Sequence, residues 1–339
     1  MENTVREIIE NETTKELINV VFEMPTLDFL PGSMFDIPLS EVKRTFSMPW
    51  GLPFPSETLV DAGNFALDVV KKKKYLFISL WDKRVADTPP VSKNEKSSVC
   101  LLTTTKPDDE AVKPCAIICP GGGYTSLAAI EEGVETADRM EKEGYRAFVL
   151  FYRVSPHYYP EPQLDLALAV RTVRKNADSF GVDPERLMVM GYSAGGHLCA
   201  SFAAYWEEYE KKLMSRMMSE DSRVSLKPDM VCLGYPVVSF TEEYHYGSFG
   251  SLTGGDEMLR DKLSIERHIE HDYPPTYIWT CEDDALVPPS NSLRMADALK
   301  KAGVRVKLDV FPSGGHGCAL AKGLSAEPWF DNMLAFFHS

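Results

Sequence analysis

The sequence predicts an α/β fold in which a mostly parallel central sheet carries helices on both faces. Short apolar runs alternate with amphipathic helical stretches from about residue 114 onward, which is typical of βαβ units. A second observation is the segment 191–195, which reads Gly-Tyr-Ser-Ala-Gly between an apolar run and a helix-compatible stretch. A third is that glycines and polar residues follow the predicted strands, at the edge where the sites of open α/β sheets gather.

The elements of this fold follow from periodicity and stop signals. In Gln163–Phe180 the apolar residues recur near helical spacing, and Gly181 directly after them is a common helix stop. The other predicted helices are Ser126–Glu143, Ala194 to about Tyr209, Leu293–Lys301 and Pro328–Phe337. The predicted strands are Ala116–Cys119, Ala147–Tyr152, Leu187–Met190, Met230–Tyr235, Tyr277–Cys281 and Val304–Phe311.

The first hundred residues have a different character. Tyr75–Trp81 and Ser98–Leu102 have strand character and are expected to form an antiparallel edge of the sheet. Prolines otherwise interrupt the aromatic residues, so this part can pack but not as long helices. We assign residues 1–97 to an N-terminal extension that forms a wrap, a lid or an oligomer contact. Residues 98–339 form the main domain, in which about 238–273 break the α/β period and are typical of a cap-like insertion.

Charge and hydropathy disfavour two classes of partner. The 339 residues include 36 Lys and Arg against 50 Asp and Glu, a formal charge of −14; a nucleic-acid backbone requires clustered cations instead. No apolar stretch approaches the roughly 18 residues of a membrane span. Met1–Glu12 lacks the apolar core of a secretory signal, and seven scattered cysteines are typical of reduced residues. We expect a cytoplasmic protein without nucleic-acid or membrane partners.

The segment 191–195 has the spacing of a nucleophile elbow, a strand-turn-helix that exposes a serine at the end of a buried strand. Cβ atoms at Gly191 and Gly195 would collide with the neighbouring strand and helix. The motif alone is common, and the hydroxyl of Ser193 would be a weak nucleophile near neutral pH without a base and an orienting carboxylate. The interpretation therefore depends on partners elsewhere in the chain.

The sequence offers a base and an orienting carboxylate for Ser193, each after a later strand. They follow the chain order Ser, Asp, His that is typical of proteins with a nucleophile elbow. The turn 282–288 reads Glu-Asp-Asp-Ala-Leu-Val-Pro, and the loop 312–317 reads Pro-Ser-Gly-Gly-His-Gly. His316 is the expected base. Asp284 is favoured over Asp283 as the acid because it stands three residues before Val287 in an Asp-x-x-Val-Pro pattern, although the chemistry permits either.

The glycine loop 120–124, Pro-Gly-Gly-Gly-Tyr, is expected to supply an oxyanion hole. Bare backbone amides can turn toward a substrate there without steric cost, and each such donor lowers the barrier by roughly 3 to 4 kcal/mol. The expected donors are the amides of Gly122, Gly123 and Ala194, with Gly121 shaping the turn. The loop lacks the Gly-Lys-Ser/Thr ending of a phosphate-binding loop.

Five motifs stand together over about residues 98–339, namely Pro120–Tyr124, Phe151–Val154, Gly191–Leu198, Gly234–Val237 and Ser313–Gly317. As a set they resemble the α/β-hydrolase serine esterases grouped as acetyl esterases and bifunctional acetylxylan/feruloyl esterases, relatives of the hormone-sensitive-lipase group. Those lipases usually carry His-Gly-Gly-Gly and Gly-Asp-Ser-Ala-Gly-Gly where this chain has Pro120 and Tyr192. The departure favours the carbohydrate-esterase side.

The resemblance implies the α/β-hydrolase fold and a serine carboxylesterase acting on short acyl esters, with acetyl groups on sugars or xylo-oligosaccharides as the expected substrate. Arg153 and Asp165 also fit the family pattern, and they are better placed for an ion pair bracing a strand-to-helix connection than for catalysis. His197, one turn into the elbow helix, is expected to be structural. The residues expected to contact substrate are Tyr124, Tyr192 and His245.

Two alternatives remain. One is a serine peptidase of the prolyl-oligopeptidase type, disfavoured because the hundred N-terminal residues cannot build the β-propeller of those enzymes. The other is a noncatalytic binding protein on a hydrolase fold, disfavoured because all three triad residues are retained. No cofactor or metal is expected, since no cluster has metal-ligand spacing. The sequence neither predicts nor excludes a homo-oligomer.

Overall fold

The computed structural model describes Thr4, Arg6, Glu7, Asp36 and residues 76–80, 100–103, 111–216 and 224–339. Within these ranges the chain forms an eight-stranded sheet of order β1-β2-β4-β3-β5-β6-β7-β8. The strands are β1 Leu76–Ser79, β2 Cys100–Thr103, β3 Lys113–Cys119, β4 Arg146–Phe151, β5 Val182–Tyr192, β6 Met230–Gly234, β7 Thr276–Cys281 and β8 Val306–Phe311.

The sheet has a parallel body and an antiparallel edge. The strands from β4 through β8 in sheet order are all parallel. At the edge, β1 pairs antiparallel with β2, and β2 pairs antiparallel with β4, which confirms the predicted edge. β1 precedes residue 98, so the sheet takes a strand from the predicted extension; most of that extension lies outside the described residues.

Both faces of the sheet are covered. Successive strand residues point to opposite faces, yet every residue of Cys115–Cys119 and of Leu187–Tyr192 is buried. The helices that follow the strands are α1 Glu135–Lys142, α2 Glu161–Lys175, α3 Ala177–Phe180, α4 Ser193–Arg216, α5 Tyr246–Thr253, α6 Ser290–Lys301 and α7 Trp329–His338. Among the described residues, no helix combines the length and the hydropathy needed to cross a membrane.

Several helix boundaries were predicted wrongly: α4 continues past Tyr209 to Arg216, and α6 begins at Ser290 rather than Leu293. Two other helices differ in kind. The predicted helix Ser126–Glu143 begins instead as a π-helix, Ala129–Val134, and continues as α1. Its first residues remain in a turn because the amides of Thr125 and Ser126 donate to the Gly122 carbonyl. The predicted helix Gln163–Phe180 is divided between α2 and α3 by Asn176, whose φ of −108° and ψ of 25° are not helical.

The parallel direction of the strands gathers four loops at one edge. β3 leads into the glycine loop at 120–124, β5 into Ser193, β7 into Glu282–Asp284, and β8 into Pro312–His316. The predicted insertion at about 238–273 lies between β6 and β7 and contains α5 with two short 3₁₀ turns, Glu257–Leu259 and Ile265–Arg267. The fold thus brings together loops that are far apart in the sequence.

Candidate active site

Ser193 stands at the junction of β5 and α4 with a backbone φ of 51°. Positive φ is costly for a residue with a Cβ and persists only where the surroundings enforce it. A Cβ at Gly191 would overlap the Gly195 carbonyl, and a Cβ at Gly195 would overlap the Cys119 carbonyl at the end of β3. The predicted steric role of both glycines is confirmed.

Three side chains from three strand ends form one line of hydrogen bonds. Ser193 Oγ lies 2.8 Å from His316 Nε2, and His316 Nδ1 lies 2.7 Å from Asp284 Oδ2. The Asp284 side chain is fully buried. Its other oxygen, Oδ1, accepts the amides of Leu286 and Val287 at 3.0 and 2.9 Å. These amides fix the carboxylate so that Oδ2 faces the imidazole.

The neighbouring Asp283 has different partners. Its carboxylate accepts the amides of Gly314 and Gly315 at 3.2 and 2.8 Å, and these hydrogen bonds hold the pKa of Asp283 below its ordinary value. Asp283 therefore braces the loop that carries His316. Of the two aspartates that the sequence left open, the structure brings Asp284 to the imidazole.

The glycine loop after β3 lies directly against the elbow. A Cβ on Gly121 would come within 2.9 Å of Ser193 Cβ. Gly122 and Gly123 have φ of 127° and 64°, values that glycine adopts readily. Within the described part of the chain, neither of their amides donates a hydrogen bond. The Ala194 amide belongs to the first turn of α4, where helix amides lack an intrahelical partner. These amides are therefore available to a bound oxyanion.

The positions of Tyr124 and Tyr192 do not match their predicted contact with substrate. Both side chains are fully buried. The Tyr124 hydroxyl lies 2.9 Å from His197 Nδ1, and the Tyr192 hydroxyl lies 2.9 Å from Thr136 Oγ1. Each hydroxyl is thus satisfied inside the protein. The two tyrosines support the loop and the elbow from behind rather than facing a ligand.

His197 is structural, as predicted. Its Nε2 donates to the Leu263 carbonyl at 2.9 Å, which leaves Nδ1 to accept the Tyr124 hydroxyl. The ring joins α4 to the glycine loop on one side and to the insertion on the other. Burial lowers the pKa of His197 to about 4, so the imidazole is neutral at neutral pH.

His245 lies beside the glycine loop. It caps α5, where its Nδ1 accepts the Ser248 amide at 3.2 Å and lies 2.8 Å from the Ser248 hydroxyl. The ring is half-buried, and its Cε1 would lie 3.8 Å from a Cβ on Gly123. Burial and the nearby His316 charge lower the pKa of His245. Of the three residues expected to contact substrate, His245 is the one that the structure leaves partly exposed.

Arg153 and Asp165 form the predicted ion pair. The Arg153 amide donates to Asp165 Oδ2 at 2.8 Å, and its guanidinium donates to Oδ1 at 2.6 Å. Both side chains are buried, and Glu161 pairs with the same guanidinium. The pair links the segment after β4 to α2 and braces the connection without touching the triad.

Glu132 and Tyr235 are two site residues that were not predicted from the sequence. Glu132 is buried between the glycine loop and the end of β6, and its carboxylate bonds to both. The available signal was a pair of acidic residues, Glu131 and Glu132, in the otherwise apolar stretch 127–134. Among the residues that the structure describes, no group of three or more His, Cys, Asp or Glu could hold a metal ion.

The sheet, the elbow and the hydrogen-bonded Ser193, His316 and Asp284 define an α/β-hydrolase. The BD-FAE family model matches residues 103–299, and the chain belongs to that family. The structure resembles an acetyl ester-xyloside bifunctional hydrolase from Caldicellulosiruptor lactoaceticus, with a TM-score of 0.69 and 35% identity over 78% of this chain and 95% of that chain. It also resembles a carboxylesterase from Lactobacillus plantarum, with a TM-score of 0.60 and 25% identity over 70% of this chain and 90% of that chain.

Curated relatives point to the same class of protein. The chain is 33% identical over 229 residues to endo-1,4-β-xylanase B of Butyrivibrio fibrisolvens, and 30% identical over 234 residues to an acetylxylan esterase of Xylanibacter ruminicola. These matches cover 66% and 67% of this chain, but only 35% and 45% of the relatives' own lengths. The relatives and solved structures to which this chain is similar thus include proteins named as esterases.

Proposed function

We propose that the protein is a serine carboxylesterase that hydrolyses short-chain acyl esters through an acyl-enzyme. The observation that carries the proposal is the unbroken line of hydrogen bonds from Ser193 Oγ through His316 to Asp284, at 2.8 and 2.7 Å. The line lies beside a glycine loop in which, among the residues that the structure describes, the amides of Gly122 and Gly123 donate no hydrogen bond. A nucleophile, a base, an orienting carboxylate and oxyanion donors are the parts that acyl transfer needs.

In the first half of the proposed reaction, Ser193 Oγ attacks the ester carbonyl while His316 Nε2 takes the hydroxyl proton. The oxyanion of the tetrahedral intermediate accepts the amides of Gly122, Gly123 and Ala194. The intermediate then expels the alcohol, which takes the proton back from His316, and the acyl group stays on Ser193. Asp284 holds the imidazole in the tautomer that presents Nε2 to the serine and stabilises the imidazolium.

In the second half, a water molecule attacks the acyl carbon and gives one proton to His316 Nε2. The second tetrahedral intermediate uses the same amides and collapses to release the carboxylic acid. The proton on His316 returns to Ser193 Oγ, so the enzyme is regenerated with one ester bond and one water consumed. Ser193 supplies the proton in the first half and the water supplies it in the second, His316 carries it in both, and the amides stabilise the oxyanion.

For the substrate, we propose acetyl esters on neutral sugars such as xylo-oligosaccharides. The support comes from relatives named for acetylxylan and for an acetyl ester-xyloside activity. The insertion supplies a wall for such a ligand, because His245 lies against the oxyanion loop and the adjacent Tyr246 is 76% exposed. The Tyr246 ring packs on Tyr244 with centroids 4.3 Å apart, which holds an aromatic surface toward solvent. Residues 98–339 are then the catalytic domain, with the insertion as its cap.

A substrate panel tests this proposal. The purified protein is assayed on p-nitrophenyl esters from acetate to octanoate, on acetylated and feruloylated xylo-oligosaccharides, and on dipeptide amides. We expect the highest kcat/KM on acetate among the p-nitrophenyl esters, and release of acetate from the acetylated oligosaccharides. Faster cleavage of the dipeptide amides would favour the peptidase alternative. Inertness toward every substrate would favour the noncatalytic alternative.

A further inference from the structure

Behind the glycine loop 120–124, the oxyanion loop of the proposed reaction, lies a carboxylate that this reaction does not use. Glu132 belongs to the π-helix Ala129–Val134, and its side chain is 4% exposed. π-helical turns are rare and are frequently found at functional sites. A buried carboxyl needs strong hydrogen bonds to offset its desolvation, so its partners indicate why it is there.

Each oxygen of Glu132 accepts one donor. Oε2 accepts the Gly121 amide at 2.5 Å, and Oε1 accepts the Tyr235 hydroxyl at 2.8 Å. Gly121 is the residue whose Cβ would press on both Glu132 and Ser193. The first of these hydrogen bonds therefore holds the oxyanion loop at the point where it touches the nucleophile.

Tyr235 extends this connection to the segment after β8 that carries His316, which we call the histidine loop. Its hydroxyl oxygen accepts the Ala319 amide at 3.0 Å, three residues after His316. Its ring also packs edge-on against the His316 imidazole, with centroids 4.9 Å apart. The Tyr235 backbone has a φ of 34° and donates its amide to the Trp279 carbonyl at 2.7 Å, so the ring is held from the sheet.

We propose that Glu132 is a positioning residue that fixes the oxyanion loop and the histidine loop relative to each other, through Gly121 on one side and Tyr235 on the other. The inference rests on the proposed function, because it assigns Glu132 a part in the geometry of acyl transfer. Glu132 does not touch the reacting atoms. It acts by placing the amides of Gly122 and Gly123 opposite His316.

A carboxylate suits this position better than an amide. Two donors reach separate oxygens, whereas a glutamine would set an NH₂ group against one of them. Burial raises the pKa of Glu132, and the hydrogen bonds from Tyr235 and Gly121 oppose that rise by favouring the charged form. The same two donors that favour the charged form also hold both loops.

The test compares Glu132→Gln and Tyr235→Phe with the wild type on p-nitrophenyl acetate. Misplacing oxyanion donors weakens contacts made in the transition state, so kcat should fall by about 10- to 100-fold in each variant with KM within about twofold. The inhibition constant of a trifluoromethyl ketone, which forms a tetrahedral adduct on the serine, should rise by a similar factor. Rates are expressed per active site labelled by a fluorophosphonate, so that unfolded protein does not contribute.

The matched control is Asp138→Asn, which removes one carboxylate from the exposed side of α1, where it pairs with Lys142. It should retain wild-type kcat and inhibitor affinity. If Glu132→Gln fails to fold, Tyr235→Phe decides the question, because it keeps the ring and deletes one oxygen. Unchanged kcat and inhibitor affinity in the folded variants would reject the positioning role alone. A wild type without turnover would reject the proposed function and this inference with it.

Discussion

His316 Nδ1 lies 2.7 Å from Asp284 Oδ2, while the adjacent Asp283 turns its carboxylate to the amides of the histidine loop. Two neighbouring residues of one type thus have separate tasks. The carboxylate of Asp284 is buried and fixed by two amides, so it can orient an imidazole. The carboxylate of Asp283 is exposed and accepts amides of the loop that carries His316.

This division predicts unequal effects of two matched substitutions. Asp284→Asn should lower kcat by about 10³- to 10⁴-fold, because the asparagine favours the wrong imidazole tautomer. Asp283→Asn should lower kcat less than about tenfold, since it weakens hydrogen bonds to Gly314 and Gly315 without contacting the imidazole. Steady-state hydrolysis of p-nitrophenyl acetate measures both. Equal losses in the two variants would contradict the assignment.

The elbow predicts a steric effect on stability. Gly195→Ala should destabilise strongly or prevent folding, because its Cβ would overlap the Cys119 carbonyl, which is backbone and cannot move aside. Gly250→Ala is the matched control: Gly250 lies within α5, and no atom from the described part of the chain lies within 4 Å of its Cβ position, apart from the helix's own nearby backbone. It should raise the free energy of unfolding by about 0.4 to 1 kcal/mol. Urea unfolding of both variants checks the contrast, and a stable Gly195→Ala would contradict the close approach of the elbow to β3.

His197 predicts a dependence of stability on pH. Its pKa is lowered from 6.5 in a free histidine to about 4 in the folded protein, because burial disfavours the charged ring. Between these two pH values the His197 imidazole is protonated in the unfolded chain but neutral in the folded protein. The contribution of the neutral buried ring to stability is therefore lost as the pH falls from about 6.5 toward 4. The loss between pH 7 and pH 4 is about 3 kcal/mol.

The measurement is urea unfolding of the wild type and of His197→Asn at several pH values across that range. The variant lacks the titrating ring, so the difference in unfolding free energy between the two proteins should shrink as the pH falls. A difference that stays constant from pH 7 to pH 4 would mean that His197 titrates normally.

The buried pair of Arg153 and Asp165 predicts a loss of stability without a specific loss of chemistry. Asp165→Asn removes the charge that faces a buried guanidinium, and breaking a buried pair costs about 3 to 5 kcal/mol. The exposed pair of Lys142 and Asp138 provides the comparison, and Lys142→Ala should cost less than about 1 kcal/mol. Urea unfolding gives both values. A large drop in kcat for folded Asp165→Asn would indicate a catalytic role instead.

The sequence predicted the parts of the site that depend on local signals. Ser193, Asp284 and His316 each follow a strand, and loops at the ends of parallel strands must meet at one edge. The burial of Tyr124 and Tyr192 could not be predicted in this way. The Tyr124 hydroxyl is satisfied by His197, which is 73 residues away in the chain. A tyrosine beside a catalytic motif looks the same in sequence whether it faces the ligand or the core.

Glu132 was missed for a related reason. Its partner Tyr235 is 103 residues away, and the π-helix that turns the carboxylate inward has no periodicity that distinguishes it from an α-helix in sequence. The strand and helix centres were predicted well because their apolar residues repeat, whereas their ends depend on individual hydrogen bonds such as those of the Gly122 carbonyl. Local periodicity therefore predicts the strands and helices, whereas residues such as Glu132 are recognised only from contacts between parts of the chain that are distant in sequence.

The most direct test of acyl transfer at Ser193 is the hydrolysis of p-nitrophenyl acetate by the wild type and by Ser193→Ala, together with mass spectrometry of the protein during turnover. We expect the wild type to hydrolyse the ester and to carry one acetyl group on Ser193. The folded variant should lose nearly all turnover and carry no acetyl group. Substantial turnover by folded Ser193→Ala, or acetylation of the wild type at a different residue, would contradict acyl transfer at this serine.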